Sequence, residues 1–386
     1  MNILEEIQNC SVEWKELGEV CSVKKGKQLN KNLLTEDGLY PAYNGGQTYS
    51  GRTNDYNVEA NTIIVSQGGA SAGFVNFVDT KFWANAHCYY ILPDESRVNN
   101  RFVYHFVKMN QKFLMDFQHG AGIPALKADK LSKLLLPVPP LEIQEKIVQI
   151  LDKFTDYVTE LTSELTSRKK QYSFYRDKLL SFEDEVYQVE WKTLGEVGKV
   201  SMCRRILKNQ TSDNGEVPFY KIGTFGKVAT SYISRELFDD YKLRFSYPKL
   251  GDILISASGT IGRTVVFNGE DSYFQDSNIV WLDHDESQVL NRYLYYFYQM
   301  NPWKVSDGGT ISRLYNGNIE KTRIPVPSLE IQSRIVQVLD NFDTVCHDLN
   351  IGLPKEIELR QKQYEYFREK LLTFVAEGEY TESRVE

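Results

Sequence analysis

LPVPPLEIQEKIVQILDKF, the segment Leu136–Phe154, recurs as IPVPSLEIQSRIVQVLDNF at Ile324–Phe342, with thirteen of nineteen positions identical. A second pair precedes it in each half: VEWKELGEV at Val12–Val20 returns as VEWKTLGEV at Val189–Val197. The stretches between these markers differ strongly between the two halves. A duplicated frame that carries two unlike inserts predicts a protein that applies two different binding surfaces to one extended target.

The duplication also sets the predicted domain boundaries. A third pair follows the first, because YSFYRDKLLSF at Tyr172–Phe182 returns as YEYFREKLLTF at Tyr364–Phe374. With 386 residues the chain is too long for one ordinary core. We therefore predict two insert domains, each followed by a helical spacer. The four segments are 1–135, 136–186, 187–323 and 324–386.

The repeated segments predict long helices. Their apolar positions alternate steps of four and three, which is typical of a heptad seam, and one seam position in each copy holds an arginine, Arg168 or Arg360. The first seam comprises Ile147, Leu151, Phe154, Val158, Leu161, Leu165, Tyr172, Tyr175 and Leu179, and the second Ile335, Leu339, Phe342, Cys346, Leu349, Leu353, Ile357, Tyr364, Phe367 and Leu371. Each helix could pack on its own domain, but matched seams favour an antiparallel coiled coil between the two.

The two spacers differ at one place. The second carries four extra residues that include Gly352 and Pro354, so we expect a kink or a restarted helix there and an uninterrupted helix in the first spacer. The prolines before each spacer favour extended backbone, after which Glu142 and Glu330 fall in the first helical turn, where carboxylates are favoured.

The inserts are predicted to be mixed, strand-rich domains with short helices, so the fold class is α+β with a pseudo-twofold internal repeat. Ala60–Ser66 and Gly251–Ser256 are short apolar strand candidates followed by the glycine loops Gln67–Gly73 and Ala257–Gly262. Neither loop ends in the GK[ST] of a phosphate-binding loop, which argues against nucleotide hydrolysis. Each loop is either a tight turn or a surface that faces a ligand.

Charge is distributed unevenly along the chain, whose net charge is −7. The inserts are close to neutral, at zero for 1–135 and +1 for 187–323, and the spacers carry −3 and −5. A neutral domain can bind nucleic acid when its basic residues share one face. The acidic spacers are poor candidates for lying along DNA.

The candidate DNA-binding residues are basic, amide and hydroxyl side chains near the start of each insert and in its glycine-containing loops, where such groups can contact phosphates and base edges. The alternative for each cluster is a solvated loop. The candidates are Lys24, Lys25, Lys27, Asn44, Gln47, Arg52, Gln67, Ser71 and Lys127 in the first insert, and Arg204, Arg205, Lys208, Lys221, Thr224, Lys227, Ser258, Thr260, Arg263 and Arg313 in the second. Trp14 and Trp191, with the neighbouring leucines and valines, are predicted to be core residues.

Nothing in the sequence predicts a metal or catalytic site. Five cysteines show no CxxC pair or ligand spacing, which suits a reducing cytoplasm, and His87 and His119 read as ordinary polar residues. Glu190–Lys192 resembles a nuclease motif with Asp184 upstream, but its twin Glu13–Lys15 has no upstream aspartate, so the shared motif is structural. The N-terminus lacks the pattern of a signal peptide, and no apolar stretch approaches 18 residues.

The paired [LI]PVPxLEIQ segments and the paired RxKQYxxxRxKLL segments, at Arg168–Leu180 and Arg360–Leu372, resemble those of specificity subunits of type I restriction-modification systems. The resemblance covers the whole chain. It implies that each insert is a target-recognition domain that reads one half of a bipartite, asymmetric site in double-stranded DNA, and that the coiled coil sets the spacer between the half-sites.

The resemblance also implies a host-defence complex in which this chain is not an enzyme. Two modification subunits that methylate adenine at N6, together with restriction subunits, would dock on the helices. This chain would bind no cofactor, and S-adenosylmethionine, ATP and Mg would belong to its partners. Two rival readings remain: a stand-alone coiled-coil DNA-binding or regulatory protein, and a self-contained methyltransferase or nuclease.

Overall fold

The computed structural model of the chain describes residues 3–116, 125–182, 189–304 and 313–374. His119 and Asp184 lie outside these ranges. Packing divides the chain into two compact units, unit 1 with residues 1–162 and 356–386 and unit 2 with residues 163–355. Each unit therefore combines one insert with parts of both repeated helical segments.

Unit 1 is built from short strands and helices followed by the start of one long helix. Its elements are α1 (Ile3–Gln8), β1 (Glu13–Glu16), α2 (Leu17–Val20), β2 (Cys21–Lys25), β3 (Tyr40–Tyr43), β4 (Gly51–Thr53), β5 (Thr62–Ser66), β6 (Val75–Val78), β7 (Trp83–Ala84), β8 (Cys88–Pro93), α3 (Asn100–Met109), α4 (Gln111–Asp116), α5 (Ala128–Ser132), β9 (Leu135–Val138) and α6 (Leu141–Ser181).

Unit 2 repeats most of this order, with the additional helix α8 and without counterparts of α1 and α4 among its described elements. Its elements, after the C-terminal part of α6, are β10 (Glu190–Thr193), α7 (Leu194–Val197), β11 (Lys199–Ser201), β12 (Val217–Tyr220), β13 (Tyr232–Ile233), α8 (Arg235–Arg244), β14 (Ile253–Ser256), β15 (Thr264–Val266), β16 (Tyr273–Phe274), β17 (Ile279–Asp283), α9 (Asn291–Gln299), α10 (Asn316–Glu320), β18 (Arg323–Val326) and α11 (Leu329–His347). The last helix, α12 (Leu353–Leu372), belongs almost entirely to unit 1.

Each unit contains the same two sheets. A four-stranded antiparallel sheet has the order β2-β8-β5-β6 in unit 1 and β11-β17-β14-β15 in unit 2. A three-stranded sheet, β4-β3-β7 or β13-β12-β16, contains one parallel pair. Every residue of the predicted strands β5 and β14 is buried, which explains why these two strands read as continuous apolar runs. The α+β prediction is confirmed.

A two-stranded ribbon joins the beginning of each insert to its end. In unit 1 it pairs β1 with β9 and places Trp14 opposite Pro137, and in unit 2 it pairs β10 with β18 and places Trp191 opposite Pro325. Leu17, after the first ribbon strand, is fully buried, but Trp14 and Trp191 are 37% and 43% exposed. The prediction of two core tryptophans is therefore wrong, because each ring lies on the solvent side of a ribbon.

The asymmetry of the spacers is confirmed. The first forms the uninterrupted 41-residue helix α6, whereas the second breaks between His347 and Leu353 into α11 and α12. Gly352 allows the chain to pass close to the end of α11 before α12 begins, since a β-carbon at this position would lie 2.5 Å from the Thr344 carbonyl oxygen. Leu349, a predicted seam residue, lies in the break and is 72% exposed, so it does not belong to the seam.

The helices pair within each unit. In unit 2, Tyr172 of α6 meets the ring of His347 at 5.5 Å and Tyr175 stacks on Phe342 at 5.7 Å. The numbering rises along α6 while it falls along α11, so the two helices run antiparallel, as predicted. In unit 1, Phe154 of α6 stacks on Phe367 of α12 at 5.2 Å.

The two seam arginines do not insert between helices. Arg168 lies along its own helix, with its guanidinium 3.4 Å from Glu164 and hydrogen-bonded to Gln171. Arg360 repeats both contacts with Glu356 and Gln363. These side chains therefore continue the helix surface with i,i+4 and i,i+3 pairs, which stabilise a helix modestly.

A matched polar cluster ties the helices to each insert. In unit 1, Asp152 of α6 pairs with Arg101 and with His105 of α3, while the other His105 nitrogen lies 3.0 Å from the Tyr364 hydroxyl of α12. In unit 2, the corresponding aspartate is Asp340 of α11, which pairs with Arg292 at 2.6 Å and accepts a hydrogen bond from Tyr296. Further seam residues are buried nearby: Ile147, Leu151, Tyr172, Ile335, Leu339, Cys346 and Leu371.

Candidate nucleic-acid interface

The turn between β16 and β17 lies at the centre of the candidate site in unit 2. Gln275–Asn278 is held by hydrogen bonds to three separate segments of the chain, around residues 220, 257 and 313. The Gln275 backbone N–H donates to the Tyr220 carbonyl at 2.9 Å, and its side-chain oxygen accepts from the Ile222 N–H at 3.0 Å. The turn also contains Ser277 at φ 60°, a conformation that non-glycine residues adopt at a cost.

The other contacts of this turn come from the glycine loop and from residue 313. The Ala257 N–H donates to the Asn278 carbonyl at 2.7 Å, and the Ser258 hydroxyl donates to the Asn278 side chain at 2.7 Å. The Arg313 guanidinium donates to the Ser277 carbonyl at 3.1 Å. Two predicted site residues, Ser258 and Arg313, thus meet at the turn.

One cavity gathers most of the predicted basic residues of unit 2. Its lining includes four predicted site residues with a single carboxylate: Arg205, Lys208, Lys221, Arg313 and Asp276. Arg205 forms a 3.0 Å ion pair with Asp276, and Lys221 donates to the Ser231 hydroxyl at 2.8 Å. The arrangement gives a basic rim around one acidic group, which suits phosphate contacts at the edge and base contacts inside.

A second cavity beside this one holds three more predicted residues, Lys227, Thr260 and Arg263. Arg263 donates to the Phe225 carbonyl at 2.9 Å, which fixes its guanidinium against the loop after β12. Lys227 and Thr260 are exposed.

Arg204 and Thr224 contact other residues of their own domain. The Arg204 guanidinium lies 5.3 Å from the centre of the Phe245 ring. The Thr224 hydroxyl lies 3.1 Å from the Lys221 N–H, from which it accepts a hydrogen bond, and so closes the turn that presents Lys221. Their contact with DNA stays a prediction.

Unit 1 brings its predicted loops together in the same way. The turn between β7 and β8 places the His87 carbonyl within 2.8 Å of the Gln67 N–H, and the Gln67 carbonyl accepts from Leu126 at 2.7 Å, next to Lys127. A β-carbon on Gly45 would lie 2.9 Å from the His87 carbonyl oxygen, so the loop with Asn44 and Gln47 is also adjacent.

The basic strand of unit 1 reaches the same end of the domain. A β-carbon on Gly26 would lie 2.2 Å from the Asn85 carbonyl oxygen, so the backbone at Gly26 lies directly against this turn. Lys25 and Lys27, the residues before and after Gly26, are exposed. Lys24, the residue before Lys25 in β2, is also exposed and lies opposite Tyr90 of β8. The short helical turn Gly69–Ser71 carries Ser71 in the same glycine loop as Gln67.

Arg52 is placed differently. Its guanidinium donates to the Gly38 carbonyl at 2.5 Å and to the Leu39 carbonyl at 2.8 Å, on β4 of the three-stranded sheet. These bonds give it a structural role in holding a loop, and a DNA contact is not needed to explain it.

Sequence reasoning missed the turns at the centre of both sites. Asn85–His87 and Gln275–Asn278 occupy matching places, but the second turn has two residues, Asp276 and Ser277, where the first has only Ala86. Asn, Asp and Ser between two apolar strand runs are the usual turn signal. His87, set aside as an ordinary polar residue, is exposed in this turn.

Neither a metal site nor a membrane span emerges from the described residues. In those ranges no three His, Cys, Asp or Glu side chains form a group that could hold a metal ion. The helices described there also include none with the length and apolar character needed to cross a bilayer.

The family model for the type I restriction modification DNA specificity domain matches the chain twice, at residues 11–168 and 188–359. The chain belongs to this family. The two matches coincide with the duplicated frame and contain both candidate sites.

Relatives of the specificity family match the chain over nearly its whole length. A putative type I restriction enzyme specificity subunit of Haemophilus influenzae is 48% identical over 381 residues, which covers 95% of this chain and 97% of the relative. The EcoR124I/EcoR124II type I restriction enzyme specificity subunit of Escherichia coli is 31% identical and is covered to 97%, as is this chain. The crystal structure of a type I S subunit from Mycoplasma genitalium has the same fold, with a TM-score of 0.61, 21% identity, and coverage of 95% of this chain and 98% of that one.

Proposed function

We propose that this protein is the non-catalytic subunit that gives a type I restriction-modification complex its DNA sequence specificity. The observation that carries the proposal is the repetition of one loop arrangement with different side chains. In both units a basic segment, a glycine loop and a strand-connecting turn converge, but the sequence of the turn is Asn85-Ala86-His87 in unit 1 and Gln275-Asp276-Ser277-Asn278 in unit 2. The same loop arrangement with different side chains supports two recognition domains, one in each unit, that bind different DNA sequences.

Each unit is proposed to bind one half of a bipartite site. Lysines and arginines at the rim would neutralise phosphates, and amide, hydroxyl and carboxylate groups inside would contact base edges in the major groove. Each reader alone binds weakly, since single base contacts contribute about 1–3 kcal/mol of discrimination. Joining two readers in one chain makes the second binding event intramolecular and raises the affinity for sites of matching geometry.

The repeated segments are the proposed docking surfaces for two modification subunits, and restriction subunits would join the same assembly. Trp14 and Trp191 support this, because the same aromatic side chain is exposed on the same ribbon in both halves. Two equal surfaces suit two copies of one partner. S-adenosylmethionine, ATP and Mg would be bound by those partners, and this chain would bind none of them.

A cytoplasmic location is proposed with the complex. The described cysteines are all free, and four of the five are buried. Burial raises the pKa of the Cys88 thiol to about 11 and that of Cys203 to about 12, so both side chains behave as small apolar groups rather than as reactive thiols.

Exchange of residues 187–323 for the corresponding insert of another specificity subunit tests the proposal. The complex is assembled with its modification subunits, and methyladenine is mapped in the host genome. We expect a gapped motif in which one half changes and the other half is retained. Motifs that change in both halves, or methylation without any gapped motif, would contradict two independent readers.

A further inference from the structure

The turn Gln275–Asn278 is more firmly held than an ordinary surface turn. Within the turn, the Asn278 N–H donates to the Asp276 carbonyl at 2.7 Å, and the Ile279 N–H donates to the Gln275 carbonyl at 3.1 Å. Segments around residues 220, 257 and 313 add the further bonds described above. A turn fixed from so many sides holds its side chains in a preformed arrangement, which is what specific recognition requires.

Asp276 is an acid in a basic cavity. Its side chain is 17% exposed, and one carboxylate oxygen pairs with Arg205. A surface that only neutralised phosphates would be weakened by a carboxylate, because like charges repel strongly where water is partly excluded. Its presence among four basic residues indicates a ligand with a hydrogen-bond donor as well as phosphates.

The ion pair with Arg205 does not by itself explain why an aspartate stands at position 276. The Arg205 side chain is 69% exposed, and pairs between exposed charges contribute little to stability. Unit 1 has no counterpart of Asp276, because its turn is one residue shorter and carries Ala86 between the two matching ends. The carboxylate is therefore a feature of one reader, and the shared fold does not require it.

We infer that Asp276 reads a base directly, by accepting a hydrogen bond from the exocyclic amino group of a cytosine or an adenine in the half-site bound by unit 2. In the major groove these amino groups, cytosine N4 and adenine N6, are the hydrogen-bond donors that bases offer. Arg205 orients the carboxylate before DNA arrives, and the basic rim binds the flanking phosphates. The inference rests on the proposed function and assigns one base contact within it.

The test uses the full chain assembled with its modification subunits and a set of duplexes derived from its methylated motif. In each duplex one amino group is removed, with purine in place of adenine or 2-pyrimidinone in place of cytosine. We expect one position, in one half-site, at which removal weakens binding by the wild-type complex at least fivefold. Asp276→Ala should bind this duplex and the parent duplex about equally, because alanine offers no hydrogen-bond acceptor in place of the carboxylate.

Arg205→Gln is the matched control, since it removes the same ion pair and leaves the carboxylate. We expect it to lower the affinity for all duplexes alike and to retain the sensitivity to the one amino group. Wild-type binding that is indifferent to every amino group of that half-site overturns the inference without any variant. It is also overturned if Asp276→Ala keeps the sensitivity, or if Arg205→Gln loses it in the same way.

Failure of the proposed function would look different. In that case the wild-type complex would prefer no gapped motif at all, and the set of duplexes could not be designed. A wild-type complex with a gapped motif and no amino-sensitive position leaves the proposed function intact and removes only the role of Asp276.

Discussion

His105 is fully buried between three helices of unit 1, with one ring nitrogen 2.7 Å from Asp152 and the other 3.0 Å from the Tyr364 hydroxyl. Burial lowers the pKa of His105, more than the hydrogen bond from its ring to Asp152 raises it. Burial alone would raise the pKa of Asp152, but hydrogen bonds from His105 and Arg101 together lower it below its ordinary value. The folded unit therefore holds a neutral histidine beside an ionised aspartate.

From this cluster we predict that the folding stability of unit 1 decreases in acid. A histidine whose pKa is lowered by folding binds its proton more readily in the unfolded chain, so stability is lost as the pH falls below the ordinary histidine pKa of 6.5. The lowered pKa of Asp152 adds a loss only in more acidic solution, below its ordinary value of 3.8. We expect the melting temperature of the chain to fall between pH 7 and pH 5.5, and His105→Gln to reduce that fall by about half or more.

Tyr296→Phe provides the control in unit 2, where Tyr296 takes the place of His105 beside Asp340. Burial raises the pKa of Tyr296, so it does not titrate in this range, and its removal should lower the melting temperature by a similar amount at both pH values. Thermal unfolding followed by circular dichroism measures both variants. An unchanged pH dependence in His105→Gln would place the responsible proton elsewhere.

At the residue scale the sequence predicted which side chains gather but not what each one contacts. Arg205, Lys208, Lys221 and the distant Arg313 were all named as candidates from basic composition, and the structure places them around one cavity. Arg52 belongs to the same compositional pattern, but its guanidinium holds two carbonyls of a neighbouring loop. Composition cannot separate an arginine that lines a cavity from one that holds a loop, because each is a basic residue near glycine.

Among the elements, the ribbons show how a repeated motif can mislead. Trp14 and Trp191 are apolar and occur in both copies, which favoured a core position, but no residue of either ribbon strand, Glu13–Glu16 or Glu190–Thr193, is buried. The helices were more predictable, because a heptad seam over about five heptads has few alternatives. The break before α12 followed from one glycine and one proline in the inserted turn, Gly352 and Pro354.

The exposed tryptophans predict a loss of partner binding in the double variant Trp14→Ala/Trp191→Ala. A tryptophan at the centre of an interface typically contributes 2 kcal/mol or more, roughly a 30-fold change in affinity for each surface. We expect the modification subunits to be lost on co-purification while the melting temperature of the chain changes little. Leu243→Ser, at an 86% exposed leucine of α8 outside the repeated segments, should retain both partners. Full retention by the double tryptophan variant would exclude the ribbons as docking surfaces.

In the whole molecule, α6 contributes a long segment to each unit, 141–162 to unit 1 and 163–181 to unit 2. Its 41 residues form one uninterrupted helix about 60 Å long, at roughly 1.5 Å per residue. Unit 1 is completed by α12, from the far end of the chain, and unit 2 by the second part of α6. Each unit thus contains a helical segment that follows the insert of the other unit in sequence.

Inserting four residues into the exposed middle of α6, next to Thr162, tests whether this helix sets the gap between half-sites. The insertion lengthens the helix by about 6 Å and turns its later part by about 40°. One base pair of DNA advances about 3.4 Å and turns roughly 35°, so a stiff helix should transmit the change as a different preferred spacer of one or two base pairs. Both half-sites should be unchanged, because no residue of either candidate site is altered. Methyladenine mapping reports half-sites and spacer together, and an unchanged spacer would mean that the gap is set by another part of the complex.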